Sequence, residues 1–139
     1  YGIGFDENTM SLSLLRATIR PDVTSDMGHH NFSYMIYPHE NGAVEAGVNK
    51  LAFQFNEQLV KSDVSYNGDT FEPLYLQAMK DSEDGSMTVI RLSEQDGKRG
   101  KIKLSKSVKL LDMLENVIGE AVDTLEYKPF EIITIGIQK

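Results

Sequence analysis

The chain has 139 residues, with 14 Lys plus Arg against 21 Asp plus Glu, a formal net charge of -7, 40% apolar and 25% charged residues, and no cysteine. A chain of this length buries roughly two thirds of its unfolded surface, enough for one ordinary domain or two small ones without a disulfide or metal staple. The acidic balance argues against a nucleic-acid partner, and the lack of cysteine excludes disulfide frameworks, zinc knuckles and thiol nucleophiles. No run approaches the ~18 consecutive apolar residues of a membrane helix, and no signal peptide is expected within these residues.

Taken in chain order, residues 10–17 alternate, with Met10, Leu12 and Leu14 on one side and Ser11 and Ser13 on the other, the period of a half-buried strand. Residues 1–5 are its expected partner across the turn Asp6-Glu7-Asn8-Thr9. Pro21, Asp22, Asp26 and Gly28 make residues 18–28 a loop, and residues 30–37 alternate again until Pro38, predicting another strand. From Val44 the apolar residues Val44, Val48, Leu51, Phe55 and Leu59 recur at three- and four-residue steps, so a helix is expected near 43–57. Residues 61–73 hold few apolar side chains and the turn signal Asn67-Gly68-Asp69, which marks a linker.

After it the pattern is β. Residues 74–80 and 87–92 flank the polar hairpin loop 81–85, and further strands are expected over 100–104, 109–113 and 130–137. The basic stretch Lys98, Arg99, Lys101, Lys103 alternates with apolar residues and reads as the wet face of a strand, while Glu115, Glu120 and Glu126 read as solvated surface. Many short strands separated by turns predict a mainly β, antiparallel sandwich fold.

Residues 16–39 collect Arg16, Asp22, Asp26 and all three histidines, His29, His30 and His39. These are ligand types for zinc or a harder cation, but neighbouring His29 and His30 on extended chain point in opposite directions and no spacing rule is met, so no metal site is expected. Asp22 and Asp26 have the chemistry of a glycosidase pair, yet loop aspartates ordinarily bond nearby backbone N–H groups or pair with Arg16 or Arg20. No serine lies in a Gly-x-Ser-x-Gly elbow, and Gly2-Ile3-Gly4 and Asp84-Gly85 are not phosphate loops.

The order of residues carries more than their chemistry. Leu12-Ser13-Leu14-Leu15-Arg16, Pro21-Asp22, Asp26-x-Gly28-x-His30-x-Phe32, Tyr34, Tyr37-Pro38-His39 and Glu45-Ala46-x-x-x-Asn49 form one block. Gln77-Ala78-Met79-Lys80, Arg91-Leu92-x-Glu94, Gly97 and Pro129-Phe130-Glu131-Ile132 form a second. Together they resemble the C-terminal region of a bacterial-type α-mannosidase of glycoside hydrolase family 38. One departure is Asn49-Lys50-Leu51, where such proteins more often continue with small or proline-rich residues.

The resemblance implies that residues 1–60 are the end of a galactose-mutarotase-like β supersandwich, 61–73 a linker and 74–139 a small C-terminal β-sandwich. It implies a larger, cytoplasmic hydrolase of mannose metabolism that cleaves α-linked mannose from glycans. Its zinc and aspartate nucleophile lie in an N-terminal catalytic barrel, so this chain alone is expected to be inactive and to hold no cofactor. Since the sequence begins with Tyr1, it is expected to be a piece of a longer protein. The implied partners are that barrel and a mannose-containing glycan, with neither nucleic acid nor membrane, and homo-oligomer formation stays open. Arg16 is the first candidate to touch substrate, followed by Asp22, Asp26 and His30, while a domain-bridging arginine–carboxylate fork would equally explain Arg16. The alternative, from another class, is a free-standing carbohydrate-binding β-sandwich, which would want exposed aromatic rings in a chain that has no Trp.

Overall fold

The structure is a computed structural model that describes residues 2–16, 18–57 and 63–139. It comprises two compact units, Tyr1–Pro38 and His39–Lys139.

In the first unit, β1 (Ile3–Asp6) and β2 (Thr9–Leu12) form an antiparallel hairpin with Ile3 opposite Leu12 and Asp6 opposite Thr9. The expected hairpin is present, but β2 stops at Leu12, short of residue 17. The strand expected over 30–37 is absent: those residues take no ladder partner among the described residues. Alternation states which side chains prefer which face, but a strand also needs a neighbour to receive its N–H and C=O groups. None of the described residues of this unit is buried.

In the second unit, α1 (Val48–Asn56) is shorter than the helix expected near 43–57. Residues 43–47 instead make turns, with Ala46 N donating to Gly42 O at 2.9 Å and Val48 N to Ala43 O at 2.9 Å. Gly47, at φ 67°, is the N-cap, and its left-handed backbone cannot lie inside a helix. The expected departure at Asn49-Lys50-Leu51 is thus a first helical turn.

Five strands follow: β3 (Tyr75–Asp81), β4 (Met87–Ser93), β5 (Gly100–Leu111), β6 (Val122–Tyr127) and β7 (Ile132–Gln138). All are antiparallel, in the order β3-β4-β7-β5-β6. The β3–β4 loop is built on Asp84, whose carboxylate accepts bonds from Ser82 Oγ at 2.6 Å and Ser86 N at 2.9 Å. These bonds hold its pKa down at about 2.

The two strands expected over 100–104 and 109–113 are one, β5, interrupted by an irregularity between Lys103 and Val108. Its first half pairs with β6 and its end, Lys109–Leu111, with β7. β6 was hidden by its acidic residues: Glu126 is exposed and paired with Lys101 Nζ at 2.5 Å, while Leu125 and Tyr127 turn into the core. The last strand starts at Ile132 and not at residue 130, since Phe130 has φ 59°.

β4 is buried on both faces. One face sends Ile90 and Leu92 into the larger cluster with Leu104, Leu125, Tyr127, Ile133 and Ile135, to which Val108 beyond the bend in β5 also contributes. The other face sends Met87 and Val89 against Leu111. Gly136 makes this second contact close, because a Cβ there would lie 2.8 Å from Met87 Sδ and 3.2 Å from Leu111 Cδ1. The helix belongs with this sheet: Asn49 Nδ2 donates to Gln95 O at 2.8 Å and to Asp96 Oδ1 at 3.0 Å, and the Phe53 and Tyr75 rings stand 5.3 Å apart. The expected division at 61–73 partly overlaps residues 58–62, which lie outside the described residues, and the compact units divide after Pro38. No described helix is long and apolar enough to cross a membrane.

Candidate functional site

The polar residues singled out between Arg16 and His39 do not all converge. Within the first unit, Leu14, Leu15, Arg16, Thr18 and Asp26 line an open hollow of about 390 Å³. Asp26 is placed there by the loop itself, since Thr18 N donates to its Oδ2 at 3.2 Å. His30 stands behind it: its Nε2 bonds the Asp26 carbonyl at 3.0 Å, and its ring stacks on Phe32 at 6.0 Å. Arg16 and Asp26 therefore share one hollow, while His30 does not line it and bonds only the Asp26 backbone.

Asp22 is not part of this group. Its Oδ1 accepts from Thr24 N and Thr24 Oγ1, both at 2.8 Å, which is a turn-capping arrangement. The backbone bond from Thr24, and then its hydroxyl, hold the Asp22 pKa below the usual carboxylate range. Asp22 does not line the hollow that Arg16 and Asp26 share. His39 falls in the second unit, with Nδ1 bonded to Asn41 O at 2.6 Å.

Among the described residues no three His, Cys, Asp or Glu side chains converge as metal ligands. His30 Nε2 and His39 Nδ1 each bond a backbone carbonyl. What the hollow offers is an arginine fork and a carboxylate beside a shallow open surface, the equipment for bonding hydroxyl groups.

A second polar constellation was not foreseen. Glu94 is only 4% exposed, yet its carboxylate accepts from Asp96 N at 2.9 Å, Gly97 N at 2.9 Å, Lys98 N at 3.0 Å and Phe130 N at 2.9 Å. Burial pushes its pKa up, but the four backbone donors outweigh burial and the net shift is downward. Glu94 thus ties the 95–98 turn to Phe130, two residues before β7. The signal was present in Glu94-Gln95-Asp96-Gly97, an acid followed at once by a turn, but nothing in the sequence says that Phe130 arrives at the same oxygen. Gly97 sits at φ 71° with the Phe130 ring 3.1 Å from where a Cβ would lie. Gly97→Ala is therefore expected to destabilise the protein by about 1–2 kcal/mol, read as a lower urea midpoint at unchanged m-value.

The fold defines a mainly antiparallel β protein of the sandwich type with one short helix, carrying a loop-built polar hollow. Residues 73–135 match the glycosyl hydrolases family 38 C-terminal beta sandwich domain. Over 96% of its length the chain is 30% identical to alpha-mannosidase G of Dictyostelium discoideum, of which it covers 15%. It is 31% identical over 96% of its length to alpha-mannosidase of Saccharomyces cerevisiae, covering 14% of that protein. It is 47% identical over 60 residues to alpha-mannosidase 2C1 of Mus musculus, which is 43% of this chain and 6% of that protein. No solved structure matches. The chain belongs to glycosyl hydrolase family 38, as part of its C-terminal region.

Proposed function

We propose that this chain is the non-catalytic C-terminal β region of an α-mannosidase that hydrolyses α-linked mannose from glycans. In this reading it packs on the catalytic barrel of the same polypeptide and helps frame the substrate cleft. The observation that carries the packing is the apolar surface of the first unit. Ile3, Met10, Leu12 and Leu14 line a hollow of about 400 Å³ with Tyr34 and Ile36, and every one of them is exposed. A contiguous apolar surface of this kind is unfavourable in water and marks a contact site. The activity comes from the relatives, whose names describe α-mannosidases and which are several times longer than this chain.

Within that reading, the first unit belongs to the end of a mutarotase-like supersandwich, and 74–139 form the small terminal sandwich against which α1 packs. Zinc and the nucleophile belong to the catalytic part, and the enzyme works in the cytoplasm in mannose metabolism. Arg16 and Asp26 present hydrogen-bonding groups to sugar hydroxyls from the hollow they share, with His30 holding the Asp26 backbone.

The test is Arg16→Ala in the full-length enzyme assayed on an aryl α-mannoside. Loss of a charge-assisted bond to substrate is expected to raise KM about tenfold with the melting temperature unchanged. A lower melting temperature at unchanged KM would make Arg16 a bridge between domains instead, and turnover by the 139-residue chain alone would overturn the non-catalytic reading.

A further inference from the structure

The segment after β5 is folded back on the sheet with unusual thoroughness for an exposed loop. Asp112 accepts bonds from Leu114 N at 2.8 Å and Asn116 N at 2.9 Å, and its second oxygen takes Asn116 Nδ2 at 2.9 Å. Asp112 N in turn donates to Asn116 O at 2.9 Å and Ile118 N to Leu110 O at 2.8 Å. Two long side chains brace the loop from the sheet below. Lys80 of β3 pairs with Glu115 at 2.8 Å, and Arg91 of β4 donates to Met113 O at 3.3 Å while its Nε holds Thr134 of β7 at 3.1 Å.

These polar ties hold an apolar tip out into solvent. Leu114 is 83% exposed and Met113 59%, and Val117, Ile118 and Ile132 are exposed as well. The loop has already lost the conformational freedom that a docking segment must give up on binding, so its apolar surface is preorganised for contact. Charge narrows the occupant. The chain carries a formal charge of -7, which opposes both a second copy of itself and an anionic lipid surface. A surface in the same polypeptide needs no such attraction, because covalent linkage supplies a high effective concentration. The chain spans only 15% of the length of a relative that it matches over 96% of its own length, which leaves a large polypeptide for that surface.

We infer that the 112–118 loop is a preformed docking knob that seats Met113 and Leu114 in an apolar recess of the parent polypeptide outside these 139 residues. The inference rests on the proposed packing against a larger enzyme and adds the element that makes the contact.

Hydroxyl-radical footprinting with mass spectrometry, run on the full-length enzyme and on the 139-residue chain, tests it. Met113 and Leu114 are expected to be modified readily in the short chain and about tenfold more slowly in the full-length enzyme, as side chains at the centre of an interface are. Equal rates in the two proteins would overturn the inference. If Tyr34 and Ile36 were protected in the full-length enzyme while Met113 and Leu114 were not, the packing proposal would stand and the knob would fall. Protection of neither pair would remove both. Protection in the short chain that grows with protein concentration would identify a second copy as the occupant and likewise overturn it. Leu114→Asp supplies the functional check: it should lower the melting temperature of the full-length enzyme and leave that of the short chain unchanged.

Discussion

Glu94→Gln is expected to destabilise the second unit by about 3 kcal/mol, the scale for disrupting a buried charged acceptor with several donors. Gln keeps the length of the side chain but replaces one oxygen with an amide nitrogen. That nitrogen must face either the Gly97 and Phe130 N–H groups, which now bond Oε2 at 2.9 Å each, or the Asp96 and Lys98 N–H groups, which bond Oε1 at 2.9 and 3.0 Å. Two donors then confront each other with water excluded. For a unit of about 100 residues this corresponds to a melting temperature lower by roughly 15 °C.

The pH dependence separates this from a generic packing defect. Because the folded pKa of Glu94 lies below its ordinary value, the stability it contributes is fully present above the unfolded pKa of about 4.3 and is lost as the pH falls below that toward the folded value. The difference between the parent chain and the variant should therefore be largest at pH 7 and shrink toward pH 3. Thermal unfolding by circular dichroism at the two pH values reads it, and a pH-independent difference would show that the carboxylate charge is not what holds the turn.

Ile135→Ala should cost about 4 kcal/mol, toward the upper end for removing a fully buried branched side chain. Ile135 is 0% exposed and stands in the middle of the sheet, paired with Ile90 of β4 on one side and Leu110 of β5 on the other. Strands on both flanks limit how far the surroundings can collapse, so most of the cavity should persist. Urea unfolding should show a lower midpoint at the same m-value. A loss below about 1 kcal/mol would mean that the β5 bend relaxes to fill the space, and the sheet would not be the rigid core inferred from its burial.

Several elements could be read from residue order because their signals are local. The Asp81–Gly85 loop between two alternating apolar runs announced the β3–β4 hairpin, and Asp6-Glu7-Asn8-Thr9 announced β1–β2; both formed. The turn role of Asp22 was equally legible, since an aspartate two residues before a threonine bonds it without outside help. Other features depended on what arrives from far away in the chain. Residues 30–37 have the alternation of a strand and are not one, since alternation cannot supply a ladder partner. In residues 122–127 acidic side chains face water while Leu125 and Tyr127 face the core, so composition suggested surface where β5 supplied a neighbour and made a strand.

The polar site divides in the same way. Its residue types and their crowding between Arg16 and His39 were visible at once. Their grouping was not, because the shared hollow of Arg16 and Asp26 and the separation of Asp22 follow from single hydrogen bonds that the loop makes once it is closed.

What the residue order determined by itself was the β class, the hairpins and the family, because alternation, turn chemistry and motif order act over a few residues. Only the tertiary structure decided that β5 is one bent strand, that Glu94 gathers amides from both sides of the sheet's end, and that the 112–118 loop holds its apolar tip in solvent. Each of these requires groups distant in sequence to meet, and the free energy that brings them together belongs to the assembled core and not to any segment of it.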